Sequence, residues 1–200
     1  MGIARFFQGL RKKEPQPDDL YGTGVWRQHR DRFNRAVDRF FVTASRLHEE
    51  VHAGAGGTDT RGGRTDASAP KSHAQAAEQL ATLTHTLNQV AQQVDDCARI
   101  LHAHVPVDQR TIPVQVRNQV GTLPELMSRA ATKVAEAAQA AAMVRAQVRT
   151  TSGTVDDNSV TDTGQITGVS AARKYVNDAA TLVEKCHAIA ARISSSDKSK

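Results

Sequence analysis

Residues 80–101, LATLTHTLNQVAQQVDDCARIL, place Leu80, Leu83, Leu87, Val90, Val94, Cys97 and Leu101 in an unbroken alternation of three- and four-residue steps. Apolar residues at that spacing line one face of a helix, and such a face suits lengthwise packing on other helices at a shallow angle. The same register recurs three more times. It runs Phe33, Val37, Phe40, Ala44, Leu47, Val51 before this stretch, then Leu123, Met127, Ala130, Val134, Ala137, Ala141, Val144, Val148, and finally Val169, Ala172, Val176, Ala179, Val183, Cys186, Ala190, Ile193. Four seams predict an all-α fold: an elongated four-helix bundle with coiled-coil-like heptad seams, a short N-terminal amphipathic helix and flexible linkers. Helices of about thirty residues rising 1.5 Å per residue would make a rod on the order of 45 Å long.

The boundaries of the seams follow from the residues that interrupt them. Glu14-Pro15-Gln16-Pro17 breaks whatever precedes it, because proline removes a donor and disfavours helix before it. Tyr21-Gly22-Thr23-Gly24 turns into the first long helix, with Thr23 as its expected N-cap. The expected helices cover about residues 24–53, 72–105, 123–150 and 168–194. Linkers at 54–71 and 151–167 are rich in Gly, Thr, Asp and Ser, and 195–200 reads as a disordered tail. Between Pro106 and Gly121 the period changes, which predicts an extended segment or a short helix across one end of the bundle. Thr122-Leu123-Pro124-Glu125 then spells a capping box. An up-down-up-down course, with the second and fourth helices parallel across the diagonal, is the default because sequential helices usually pack together.

Seven of the eight aromatic residues precede residue 42, so the first long helix is the expected packing hub. Elsewhere the seams are mostly Ala and Val, which predicts close approach and modest buried area. Two cysteines on helical seams suit a reducing compartment better than a disulfide scaffold. Apolar residues interrupted by Arg5 and Gln8 do not make a signal peptide, and no run reaches the 18 or so apolar residues of a membrane span. The expected location is therefore cytoplasmic or peripheral at the inner face of the cell membrane.

The net charge of +5 is uneven, since Arg5, Arg11, Lys12 and Lys13 stand in the first thirteen residues without an acid. The remainder is close to neutral, which argues against a broad nucleic-acid face. Arg27, Arg30, Arg35 and Arg39 interleave with Asp31 and Asp38, and Asp31 with Arg35 reads as an i,i+4 pair on a solvated face.

Motifs that resemble catalytic or metal chemistry fail on phase. His48-Glu49-Glu50-Val51-His52 matches H-E-x-x-H, but Leu47 and Val51 form the seam, which turns Glu49 to the outer face. Glu49 with His52 and Glu184 with His187 have the Glu-x-x-His spacing of di-iron bundles, yet both glutamates lie outside their seams. No catalytic residue, cofactor or metal ligand is nominated, and the chain is expected not to be an enzyme.

Residues 2–13 are different. Ile3, Phe6, Phe7 and Leu10 fall at i, i+3, i+4 and i+7, with Arg5 on the polar side and Arg11, Lys12 and Lys13 at a basic end. Burying four such side chains in a lipid interface yields about 6 to 8 kcal/mol at roughly 2 each. Ordering about ten residues costs a similar amount. Four cations, each worth about 1 kcal/mol at an anionic surface, would tip the balance toward weak, salt-sensitive binding. The expected function is a non-enzymatic scaffold or adaptor that associates weakly with the inner membrane surface through this segment. The alternative is a soluble cytoplasmic interaction module whose N-terminal helix docks on protein, either a partner or its own bundle, with homo-oligomerisation also open.

Overall fold

The structure, a computed structural model, describes residues 16–55, 71–153 and 167–197. These residues are all-helical, with no strand among them. In chain order the helices are α1 (Pro17–Tyr21), α2 (Val25–Ala55), α3 (Lys71–His104), α4 (Val114–Val120), α5 (Leu123–Gly153) and α6 (Thr167–Asp197). Each apolar register lies on one long helix. Every seam residue is buried except Ile193, which is half-buried near the end of α6.

The four long helices pack in the cyclic order α2, α3, α6, α5, with the α5–α6 contact the most extensive. Trp26 near the start of α2 meets Val105 just past the end of α3, so these two run antiparallel. Gly168 at the start of α6 lies against Ala140 and Val144 in the second half of α5, making that pair antiparallel as well. By contrast, Arg32 reaches Ser128 and Glu50 reaches Arg145, so α2 and α5 are parallel. One groove gathers Ser72 with Ser170 and another gathers His104 with Arg192, so α3 and α6 are also parallel.

Directions alternate along the chain as expected, but the ring order does not. The second and fourth long helices, α3 and α6, are neighbours, and it is α3 and α5 that face each other across a diagonal with little contact. The physical reason is the length of the 105–122 connection, which lets the chain cross the end of the stack. Val105, Val107 and Val120 are buried there, and Pro113 stands at the N-cap of α4. Pro113 holds φ −59° and ψ 150°, an extended conformation suited to a residue that precedes a helix. The α6 helix also continues through Asp197, so residues 195–197 are helical and not part of the disordered tail expected there.

Two further differences arise before α2. Pro17 opens α1 instead of ending structure, because a proline at the first helical position sacrifices an N–H that has no partner there anyway. Gln16 N donates to Asp19 Oδ2 at 3.0 Å and steadies this turn. The cap of α2 is Gly24 in place of Thr23: Gln28 N donates to Gly24 O at 3.2 Å. A Cβ at Gly24 would overlap the Val107 carbonyl, so only glycine lets the crossing segment lie this close. Gly22, at φ +67° and against the His102 ring, makes the reversal between α1 and α2.

Trp26, Phe33, Phe40 and Leu47 are almost fully enclosed, so α2 supplies the largest side chains of the core. Gly24→Ala should therefore cost about 1 to 3 kcal/mol, the usual range for overpacking, as measured by urea unfolding. Cys97 and Cys186 are buried, and burial pushes both thiols up to about 12 from the ordinary 9.0, with Cys186 adding to the effect at Cys97. They should react slowly with thiol reagents until the protein is unfolded. Since only the unfolded chain ionises these thiols near pH 9, their stabilisation is present below that pH. It should fall as pH rises toward 12, which denaturant titrations at several pH values would detect.

Candidate functional site

All eight residues nominated from the sequence, Ile3, Arg5, Phe6, Phe7, Leu10, Arg11, Lys12 and Lys13, lie outside the described residues. The structure does define the ground from which that segment departs, the junction of α1, α2 and α3. Trp26 Nε1 donates to Val105 O at 2.9 Å in a buried site. One turn on, Arg30 forks onto Asp95 of α3, with Nε to Oδ1 at 2.8 Å and Nη2 to Oδ2 at 3.3 Å, while Nη1 reaches Asp31 Oδ1 at 2.9 Å. Asn34 Nδ2 also donates to Asp95 Oδ1, at 3.3 Å. The Arg30 guanidinium lies 4.2 Å from the centre of the Tyr21 ring, and Asp18 pairs with Arg27, so α1 is fastened to α2 by two contacts.

Burial opposes the Arg30 charge, but the hydrogen bonds it donates to Asp95 outweigh that and the guanidinium holds its proton more firmly than usual. Asp31 does not make the i,i+4 pair with Arg35 expected from its spacing. Asp31 pairs with Arg27 and Arg30, and Arg30 bridges two helices through Asp95, which no local spacing on α2 discloses. The arrangement suits fastening more than chemistry, since each charge is engaged by an opposite one.

The H-E-x-x-H residues sit near the end of α2. His48 and His52 place their rings 4.1 Å apart at an angle of 59°, and both are exposed, as is Glu49. Glu184 and His187 are likewise exposed on α6. Because α6 runs opposite to α2, His52 and His187 lie toward opposite ends of the stack. Among the described residues no group of three or more His, Cys, Asp or Glu is gathered where it could hold a metal ion.

Exposed apolar side chains form a second feature, and sequence reasoning missed it. Phe41 is 53% exposed and Val42 45%, both on the outer surface of α2, and Met143 on α5 is 64% exposed. Phe41, Ala44, His48, Ala81 and Thr84 line a mostly apolar groove of about 330 Å³ between α2 and α3. Val42 lines another of about 480 Å³ with Ala135, Ala138 and Ala142, between α2 and α5. The signal was available: Phe41 and Val42 directly follow the seam residue Phe40, giving three consecutive large apolar residues where the helical period uses one. No helix among the described residues is long and apolar enough to cross a membrane.

Two outcomes are expected from this geometry. Asp95→Ala should destabilise the protein by about 1 kcal/mol in urea unfolding, the scale of one partly exposed hydrogen-bonded ion pair, because Arg30 keeps Asp31 as a partner. His52→Ala should leave the melting temperature unchanged, and elemental analysis of the purified protein should find no stoichiometric zinc or iron. No protein family, no curated protein and no solved structure matches the chain.

Proposed function

We propose that the chain is a four-helix bundle with coiled-coil-like seams that works as a non-enzymatic scaffold or adaptor, held weakly to the inner face of the cell membrane by residues 2–13. The cyclic packing of α2, α3, α6 and α5 over buried seams supports the architecture. The outward placement of Glu49 and Glu184 supports a role without metal catalysis. The observation that carries the membrane reading is the stripe Ile3, Phe6, Phe7, Leu10 ending in Arg11-Lys12-Lys13. Such a helix lies in the plane of an interface with its apolar side among acyl chains and its cations among anionic headgroups. A second reading, a soluble module in which the segment docks on protein, is favoured by the exposed Phe41 and Val42.

Co-sedimentation with anionic vesicles, comparing the full chain with one starting at Pro15, tests the first reading. The full chain should pellet at low salt and the shortened one should not. Neutralising Arg11, Lys12 and Lys13 together, or replacing Phe6 and Phe7 by Ser, should each abolish pelleting while the helical circular dichroism is retained. Raising salt to about 0.5 M should weaken binding strongly, because screening then acts within a few Å. Failure of the full chain to bind anionic vesicles at low salt would overturn the reading.

A further inference from the structure

The groove at Phe41 has a position relative to the chain's first residues that suggests its occupant. Helix α1 packs on α3, and its Tyr21 and Asp18 contact Arg30 and Arg27 of α2, so α1 lies along the α2/α3 side of the stack. Gln16, where the described chain starts, is therefore on that side. Further along α2 on the same side comes the apolar groove of Phe41, Ala44, His48, Ala81 and Thr84. Phe41 is fourteen residues beyond Arg27, about 21 Å along the helix. Fifteen residues precede Gln16, and the twelve from 2 to 13 would span about 18 Å as a helix.

From these positions we infer that residues 2–13 seat their apolar stripe in the α2/α3 groove at Phe41 when no membrane is present, so that the groove and an anionic lipid surface compete for the same face. A chain that turns back at Gln16 would set Leu10, Phe7, Phe6 and Ile3 progressively farther along α2, over Phe41 and Ala81. The one acidic side chain bordering the Phe41 groove, the exposed Glu49, lies toward its far end, the end to which the Arg5 part of the segment would point. The groove of Val42 and Ala138 is more open but lies on the α5 side of α2, away from α1. The inference rests on the amphipathic character of residues 2–13, as the membrane reading does, and adds a resting place that sets how readily lipid captures them.

Limited trypsin digestion of the full chain, followed by mass spectrometry, reads the docked state through cleavage after Arg11. The Phe41→Asp variant alters a half-exposed side chain and should keep the fold, as checked by thermal melting. Ala81→Glu, on the opposite wall of the groove, is the second probe. Each should speed cleavage after Arg11 at least fivefold. Each should also bind anionic phosphatidylglycerol vesicles several-fold more tightly than the wild type, despite the added negative charge. Equal cleavage rates in wild type and both variants would overturn the inference while leaving the membrane reading intact if vesicles still bind. Faster cleavage in the variants with no vesicle binding by any of the proteins would sustain the docking and overturn the lipid competition together with the membrane reading. Protection that grows with protein concentration would identify the occupant as a second copy and overturn the intramolecular docking.

Discussion

Close approach between alanine- and valine-lined helix faces is the constraint on which this molecule depends. Ala130, Ala137 and Ala141 of α5 and Ala172, Ala179 and Ala190 of α6 are fully buried, and such short side chains make contact only if the two backbones come near. Burying them contributes less per residue than burying leucine, at about 25 cal/mol per Å². Thickness has to come from elsewhere, and Trp26, Phe33, Phe40 and Leu47 of α2, with Leu80, Leu87 and Leu101 of α3, provide it. The core is thus lopsided, with a bulky α2/α3 hairpin against a slender α5/α6 hairpin.

Small, similar seams specify a helix face but say little about register, and two cross-helix ion pairs supply what they lack. Arg30 with Asp95 ties α2 to α3 near one end. Near the other end, Arg145 of α5 donates to Glu50 of α2, with Nε 3.0 Å from Oε2 and Nη2 2.5 Å from Oε1. Those hydrogen bonds hold the Glu50 carboxyl below its usual range. Sliding α2 by one turn against either neighbour would keep most apolar contacts but part these charges. Half-exposed pairs of this kind add little net stability, and their contribution is better understood as choosing among packings that the seams leave nearly equal.

The likeness of the seams also limits how much of the fold the sequence discloses. Helical class and the buried face of each long helix were legible, because a period of three and four is a local property and every seam from Phe33 to Ala190 encodes it. Which helices are neighbours was not, since four interchangeable stripes joined by long connections fit more than one ring. Nor was the cross-helix role of Arg30, whose partner lies 65 positions away. Pro17 reads as a breaker until its place at the first position of α1 is known, and Gly24 reads as part of a turn until Val107 is seen against it. Of the site, the stripe at residues 2–13 rests on sequence alone. The exposure of Phe41 and Val42 became apparent only once Phe40 was fixed in the core.

The alternation of helix direction along the chain gives the molecule two unlike ends. Residues 55, 71, 153 and 167 all fall at one end, where the chain leaves and re-enters the long helices. The other end carries the α4 crossing and the junction from which the first residues depart. Thirty-one residues separate these ends along α2, about 46 Å at 1.5 Å per residue. Helices locked side by side over that length resist bending far better than a single helix does, so the molecule has the mechanics of a strut. A body attached at the hairpin end would be held a fixed stand-off from whatever is gripped at the other. That separation is set by helix length, so inserting or deleting whole turns in concert would lengthen or shorten it without altering either end.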